Sequence, residues 1–354
     1  VSTNGQVSGR RNIIINGAMK VAQRSTSVTG IGGSNGYFTV DRFHIGKGDT
    51  AGRLTMTQTA DGPSGFANCI KLDCTTADTS VAAGELLWLE QKIEGQDLQQ
   101  FKKGTSDAEQ YSVSFYVKGN ANATYALALH DTDNSRHIVK LFSVTTAWTR
   151  ITMTFPADTT GAFNDDNAHS LSVRIWLHAG STYTSGTLQS SAWAGLTAAN
   201  RAAGITSFFD STDRTFFLTG LQLEVGSVAT PFEHRSFGEE LVLCQRYCHR
   251  INSNGSDDIP IGTGFYNAST TCRVMVTVPT TMRAASTFTT LDSGLDILRD
   301  SSSDTSITLD AAIDQSRHGC ILNFTGAAST TAGEGVILRL GTEAANFIEF
   351  DAEL

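Results

Sequence analysis

Charge is scarce in this chain of 354 residues: charged side chains make up 17%, with 26 Lys and Arg against 35 Asp and Glu, and the formal net charge is −9. No basic run exceeds a pair such as Arg10-Arg11 or Lys102-Lys103. A nucleic-acid partner must have its phosphates neutralised by a basic patch or stripe, so that class of partner is not expected. Long apolar runs are missing too. None approaches the ~18 residues that mark a bilayer-spanning helix, so no membrane insertion is expected. The opening VSTNGQVSGRR lacks the apolar core of a secretory signal, and its first residue is Val, as in a processed chain or a fragment. Prolines number only five, while Gly (33), Ser and Thr are abundant, a mixture that suits β-structure with many small turns. At this length a sizeable core can be buried, and ~150 residues per domain predicts two or three domains.

Cysteine is also sparse, at positions 69, 74, 244, 248, 272 and 320. Cys69 and Cys74 share the alternating stretch NCIKLDCTT, where five residues of extended chain span ~16 Å, too far for a disulfide. Isolated, apolar-flanked cysteines fit a reducing compartment and are expected to be reduced core residues.

What the chain does have is period-two alternation. In YSVSFYVK, Tyr111, Val113, Phe115 and Val117 fall on one face. TRITMTF repeats the pattern with Ile151, Met153 and Phe155, and LSVRIWLH with Leu171, Val173, Ile175 and Leu177. Turn-forming stretches KGNANAT, HDTDNS and FNDDNAH separate such runs. Short alternating strands predict antiparallel sheets with one buried face, and their spacing a jelly-roll sandwich. The fold class expected is therefore all-β: an antiparallel jelly-roll β-sandwich over 37–235, a connecting helix over 236–250, and a smaller β domain over 251–354. Residues 1–36 are expected to form an attachment arm. The long connection 179–213 carries Trp193 and is expected to pack on something rather than project.

The cluster PFEHRSFGEELVLCQRYCHR (231–250) has the look of a chemical site. Ser236 followed by Glu239 is a capping box, with Glu239 and Glu240 at the positive end of a helix and Arg246, His249 and Arg250 at its negative end. Cys244 and Cys248 lie one turn apart on that helix, but the second ligand pair of a structural zinc site is missing. HDTDNS lacks the Gly and distal Glu of a twelve-residue calcium loop. The glycines at 30, 32, 33 and 36 lead into a strand, not the helix that a dinucleotide site requires. Asp165-Asp166 suits a solvated turn better than a pair of catalytic acids. Neither Gly-x-Ser-x-Gly nor His-Glu-x-x-His is present. No catalytic residue, metal or cofactor is expected, and the chain is not expected to be an enzyme. On the faces turned away from the core, the alternation puts Tyr116 and Lys118 in one strand and Arg174, Trp176 and His178 in another. Aromatic rings beside hydrogen-bonding side chains suit a glycan platform; they also suit a subunit interface, where aromatics and Arg are enriched. Trp193 is grouped with them.

Three stretches carry a resemblance: NIIINGAMKVAQRSTS, YFTVDRF and LTGLQLEVGSVATPFEHRSFGEELVLCQRYC. Together they resemble bacteriophage tail-fibre-like virion proteins of the marine and cyanobacterial phage type, across residues about 10–250. The match is specific over 219–247. In that family a similar opening precedes a sandwich like those of carbohydrate-binding modules, and a variable β domain follows. The family continues Arg-Tyr-Tyr where this chain has Cys248. The resemblance implies a structural and adhesive virion component assembled in the host cytoplasm, a homotrimer joined to other virion proteins, with host-surface polysaccharide as a partner. A capsid-decorating head fibre and a non-viral glycan-binding module are the alternatives.

Overall fold

A computed structural model describes residues 10–291, 294–299, 302–304, 307–326 and 331–354. The chain divides into two compact units, Val1–Glu240 with Leu354, and Leu241–Glu353.

The first unit is an antiparallel sandwich. Its strands are β1 (Ser27–Ile31), β2 (Gly36–Tyr37), β3 (His44–Gly48), β4 (Arg53–Thr59), β5 (Cys69–Thr76), β6 (Leu86–Glu94), β7 (Tyr111–Gly119), β8 (Ala123–Asp131), β9 (Arg136–Val144), β10 (Thr149–Phe155), β11 (His169–Ala179), β12 (Ala194–Gly195) and β13 (Thr215–Val225). One sheet has the order β1-β4-β5-β13-β7-β10, the other β12-β9-β8-β11-β6-β3-β2, the crossed order of a jelly roll. The alternating residues meet between them: Tyr111, Val113, Phe115 and Val117 from β7 face Leu171, Val173, Ile175 and Leu177 from β11, all at 0–1% exposure.

Residues 10–36 are not an arm. Ile14 and Met19 are fully buried, Val21 and Ile31 nearly so, and β1 is the edge strand of the six-stranded sheet. The stretch Asn16–Met19 turns through left-handed backbone at Asn16 and Met19. At Gly17 a Cβ would sit 2.1 Å from Leu221 O, so only glycine lets this turn approach β13. Residues 1–9 of the expected arm lie outside the described residues.

Helix α2 (Phe237–Gln245) begins as its local sequence dictates; a short α1 (Ser181–Thr184) precedes it in the chain. Glu239 N–H donates to Ser236 Oγ at 3.3 Å, and Ser236 N–H donates to Glu239 Oε2 at 3.1 Å, a closed capping box. Replacing Ser236 by alanine is expected to cost about 1 kcal/mol, read as a lower urea midpoint at unchanged slope. The helix is shorter than the 236–250 expected. Its last turn tightens, with Tyr247 N–H on Cys244 O at 2.9 Å, and the chain then enters β14 (Cys248–Asn252). His249 and Arg250 are therefore strand residues rather than a positive charge at the helix end, and Arg250 pairs instead with Glu349 at 3.2 Å.

The second unit continues with β15 (Ile259–Tyr266), β16 (Thr271–Thr277), β17 (Thr287–Thr290), β18 (Leu295–Arg299), β19 (Ser302–Asp304), β20 (Ile307–Ser316), β21 (Gly319–Gly326), β22 (Gly335–Leu340) and β23 (Phe347–Asp351). A three-stranded sheet β14-β23-β17 and a seven-stranded sheet β19-β18-β22-β15-β16-β21-β20 enclose Tyr266, Val274, Leu322, Phe324, Leu338 and Phe350. All six cysteines of the chain are buried, and burial pushes the thiols of Cys69, Cys74 and Cys320 up to about 11. A thiol in that range does not ionise near neutral pH and packs as a small apolar group.

Candidate functional site

The outer face of the seven-stranded sheet is where Arg174, Trp176 and His178 project from β11. Trp176 pairs in register with Trp88, and Arg174 with Glu90. On the other side, Ala126 and Ala128 of β8 leave room for the indole. That room is filled by the chain itself. The connection after β11 forms α1 and folds back over the sheet, adding Tyr183, Leu188, Ala202 and Ile205 to the apolar cluster that holds Trp176. The Tyr183 ring lies 5.4 Å and the Arg201 guanidinium 4.8 Å from the Trp176 ring. Trp176 and His178 are 0% exposed and Arg174 6%. The face expected to serve a glycan or a subunit interface is thus a closed layer, which is why β11 is buried along both sides. Glu90 accepts from Arg174 at 2.8 Å and contacts His44 Nδ1 at 3.1 Å. Burial opposes its charge, but Arg174 and the His44 hydrogen bond outweigh burial and hold the carboxyl well below its usual range.

Trp193 does not join that face either. It sits at 7% exposure in the sandwich core, donating Nε1–H to Pro156 O at 2.8 Å, 5.4 Å from the Tyr111 ring. Asp165 and Asp166 are exposed turn residues.

Tyr116 and Lys118 lie in the six-stranded sheet, so they and the β11 residues belong to opposite layers. Register places Phe217 of β13 beside Lys118, and Thr219 and Arg150 on either side of Tyr116. Lys118 Nζ is 2.7 Å from Asp61 Oδ2, 4.6 Å over the Phe217 ring and 5.3 Å over the Trp148 ring. Phe66 covers Tyr116 at 5.2 Å and meets Phe232 and His234, each at 5.0 Å. The sheet makes space for this at Gly220, a bulge residue with φ +64°, where a Cβ would come within 3 Å of both the Phe66 and Tyr116 rings. The result is a set of half-buried rings, Phe217 and Trp148 under Lys118 and Tyr116 under Phe66, in which the buried Trp148 Nε1–H has no partner among the described residues. Strand β10 also borders a groove of about 570 Å³ lined by Lys140, Ser143, Arg150, Thr152 and Thr154. Partly exposed rings beside ammonium, carboxylate and hydroxyl groups suit a sugar, whose C–H groups pack on aromatic carbon while its hydroxyls hydrogen-bond. Sequence reasoning found Tyr116 and Lys118 but missed Phe66, Trp148, Phe217 and Asp61. Phe217 carries a signal of its own, an aromatic on the solvent face of TFFL; the other three lie outside regular strands.

No protein-family model matches the chain, and no curated protein matches it. Solved structures do align with it. The enzymatically active domain of bacteriophage CBA120 tailspike protein 4 aligns over 60% of this chain and 21% of its own, at 11% identity and a TM-score of 0.31. The TmCBM61 module in complex with β-1,4-galactotriose aligns over 61% of this chain and 99% of its own, at 9% identity and a TM-score of 0.31. The family 11 carbohydrate-binding module of Clostridium thermocellum, in complex with a mixed-linked tetrasaccharide, aligns over 58% and 99%, at 10% identity and a TM-score of 0.28. The match thus spans about a fifth of the tailspike chain.

Proposed function

We propose that this chain is a non-catalytic adhesion protein of a bacteriophage particle, a tail-fibre-like component that binds host-surface polysaccharide through the outer face of its six-stranded sheet. The observation that carries the sugar-binding part is the half-buried ring set of Phe217 and Trp148 around Lys118, with Tyr116 two residues along the same strand, set against an opposite face closed by the chain's own connection. The virion part rests on the resemblance of residues 10–250 to phage fibre proteins, with homotrimeric assembly in the host cytoplasm and attachment to other virion proteins as its corollaries. Substituting alanine for Trp148 or Phe217 removes a stacking surface without opening the core. Each change is expected to weaken binding to host-cell polysaccharide about tenfold, measured by sedimentation with cells or on a glycan array. Full affinity in the double variant would remove the site from this face. Gold-labelled antibody on intact particles tests the location: label on the tail supports the reading, label on the head makes this a capsid-decorating fibre, and no label makes it a non-viral glycan-binding module.

A further inference from the structure

The loop between β5 and β6, the end of β11 and the 3₁₀ turn Phe208–Asp210 converge on three ligand-type side chains. The ligand atoms of Asp78, Glu85 and His178 all lie within 4.8 Å of one another. Their exposures are 6%, 6% and 0%. His178 Nε2 is 3.3 Å from Glu85 Oε2, and its Nδ1 is 2.8 Å from Ser207 Oγ, which also accepts the Phe209 N–H at 3.0 Å. Asp78 Oδ2 accepts the Thr50 hydroxyl and the Ala51 N–H, both at 2.8 Å.

Charge balance is the difficulty with this cluster. Two buried carboxylates side by side cannot both stay ionised without a compensating positive charge. The same sandwich solves that problem elsewhere with its own lysine. Lys103 Nζ, fully buried, sits 2.7 Å from Asp131, 3.1 Å from Asp158, 2.8 Å from Thr160 O and 2.6 Å from Gly161 O, as a cation would in an oxygen cage. Among the described residues, neither Asp78 nor Glu85 has a lysine or arginine ion pair; His178 is their one basic neighbour. In the tautomer whose Nδ1–H is given to Ser207, Nε2 turns a lone pair toward Glu85. Three electron-pair donors then lie within 4.8 Å of one another.

We propose that Asp78, Glu85 and His178 form a structural site for a divalent first-row transition cation, zinc being the ion of best fit. One imidazole nitrogen and two carboxylates are zinc ligands, and the fourth position is left to water. Tetrahedral bonds of 2.0–2.2 Å place ligand atoms roughly 3.3 Å apart. His178 Nε2 and Glu85 Oε2 already stand at that separation. Ser207 is the outer partner that fixes the tautomer and aim of the ring. The cation clips both ends of the connection that covers Trp176, since His178 lies just before it and Ser207 just after. Sequence reasoning found no metal motif because Asp78 and Glu85 share one loop while His178 comes from a strand 93 residues after Glu85.

The test uses the whole chain without a histidine tag, stripped with chelator and titrated with Zn²⁺, with Ca²⁺ as the hard-ion control. One Zn²⁺ per chain is expected. At a hundredfold excess over its dissociation constant it should raise the melting temperature by roughly 5 °C or more, with slower amide exchange across residues 181–205. Co²⁺ in the same site should give the visible absorption of a four-coordinate nitrogen–oxygen complex. His178→Gln should abolish uptake, and Ser207→Ala should weaken it roughly 10–100-fold. No uptake by the wild-type chain, or equal uptake by His178→Gln, overturns the proposal and leaves a shared proton as the neutralising charge. The wild-type and Co²⁺ measurements stand even where a variant does not fold.

Discussion

Replacing Trp176 by alanine is expected to lower the stability of the sandwich by about 3–5 kcal/mol while leaving polysaccharide binding by the folded fraction unchanged. The sequence alone offers Trp176 to a glycan or a subunit interface, because it alternates out of the core-facing register of β11. In the fold its indole is 0% exposed, with the Trp88 ring at 4.9 Å, Tyr183 at 5.4 Å and the Arg201 guanidinium at 4.8 Å. Burial, and then the nearby Arg174 charge, push the Arg201 guanidinium down to about 10, so this cation has exchanged much of its water for aromatic faces. Removing the indole creates a large cavity beneath the covering connection and takes away the ring on which Arg201 rests. Urea unfolding and binding per folded molecule, measured on the same preparation, separate the two effects. A loss under about 1 kcal/mol, together with abolished sugar binding, would mean that the connection opens in solution and that the covered face is the binding site after all.

Trp176 also shows where legibility ends. Alternation identified β7, β10 and β11 and their core-facing residues, because period two is a property of the strand alone. It could not say what lies on the other face, since the cover is supplied by Tyr183, Ala202 and Ile205, whose own stretch has no period. The capping box at Ser236 and Glu239 was legible for the same local reason: both partners lie within three residues. The helix end was not, because pairing of Cys248–Asn252 with Phe347–Asp351, about a hundred residues on, decides it. The ring row was half legible. Tyr116 and Lys118 announce themselves in YSVSFYVK, whereas Phe66, Trp148 and Phe217 join them only once strands distant in sequence are neighbours. Residues 10–36 looked like an arm for a related reason: Ile14 and Met19 find their cavity between strands encoded far downstream.

That packing gives the strings at 12–23 and 221–240 a physical meaning, and Arg235 is the residue that tests it. Arg235 Nη1 donates to Ile14 O at 3.0 Å and pairs with Glu240 Oε1 at 3.2 Å, while Nη2 donates to Asn12 O. Glu240, 3% exposed, also accepts the Asn16 N–H. Glu233 Oε2 accepts the N–H groups of Arg11 and Asn12 at 2.6 and 2.7 Å, and Asn12 Oδ1 accepts the N–H of Leu223 at 3.1 Å. The chain's opening is thus held by side chains more than 200 positions later, so neither string keeps its bonding without the other. Arg235→Leu leaves a buried carboxylate and two carbonyls without their cation. It is expected to cost about 3–5 kcal/mol and to expose residues 10–24 to limited proteolysis. The double variant Arg235→Leu, Glu240→Leu should recover part of that loss, because apolar side chains replace both charges at once. Cleavage within 10–24 is the discriminating readout: an Arg235→Leu variant as resistant there as wild type would show that apolar burial of Ile14 and Met19 holds the opening by itself. With cleavage and partial rescue together, the strings are one device, a buried ionic clasp that ties the beginning of the sandwich to its end.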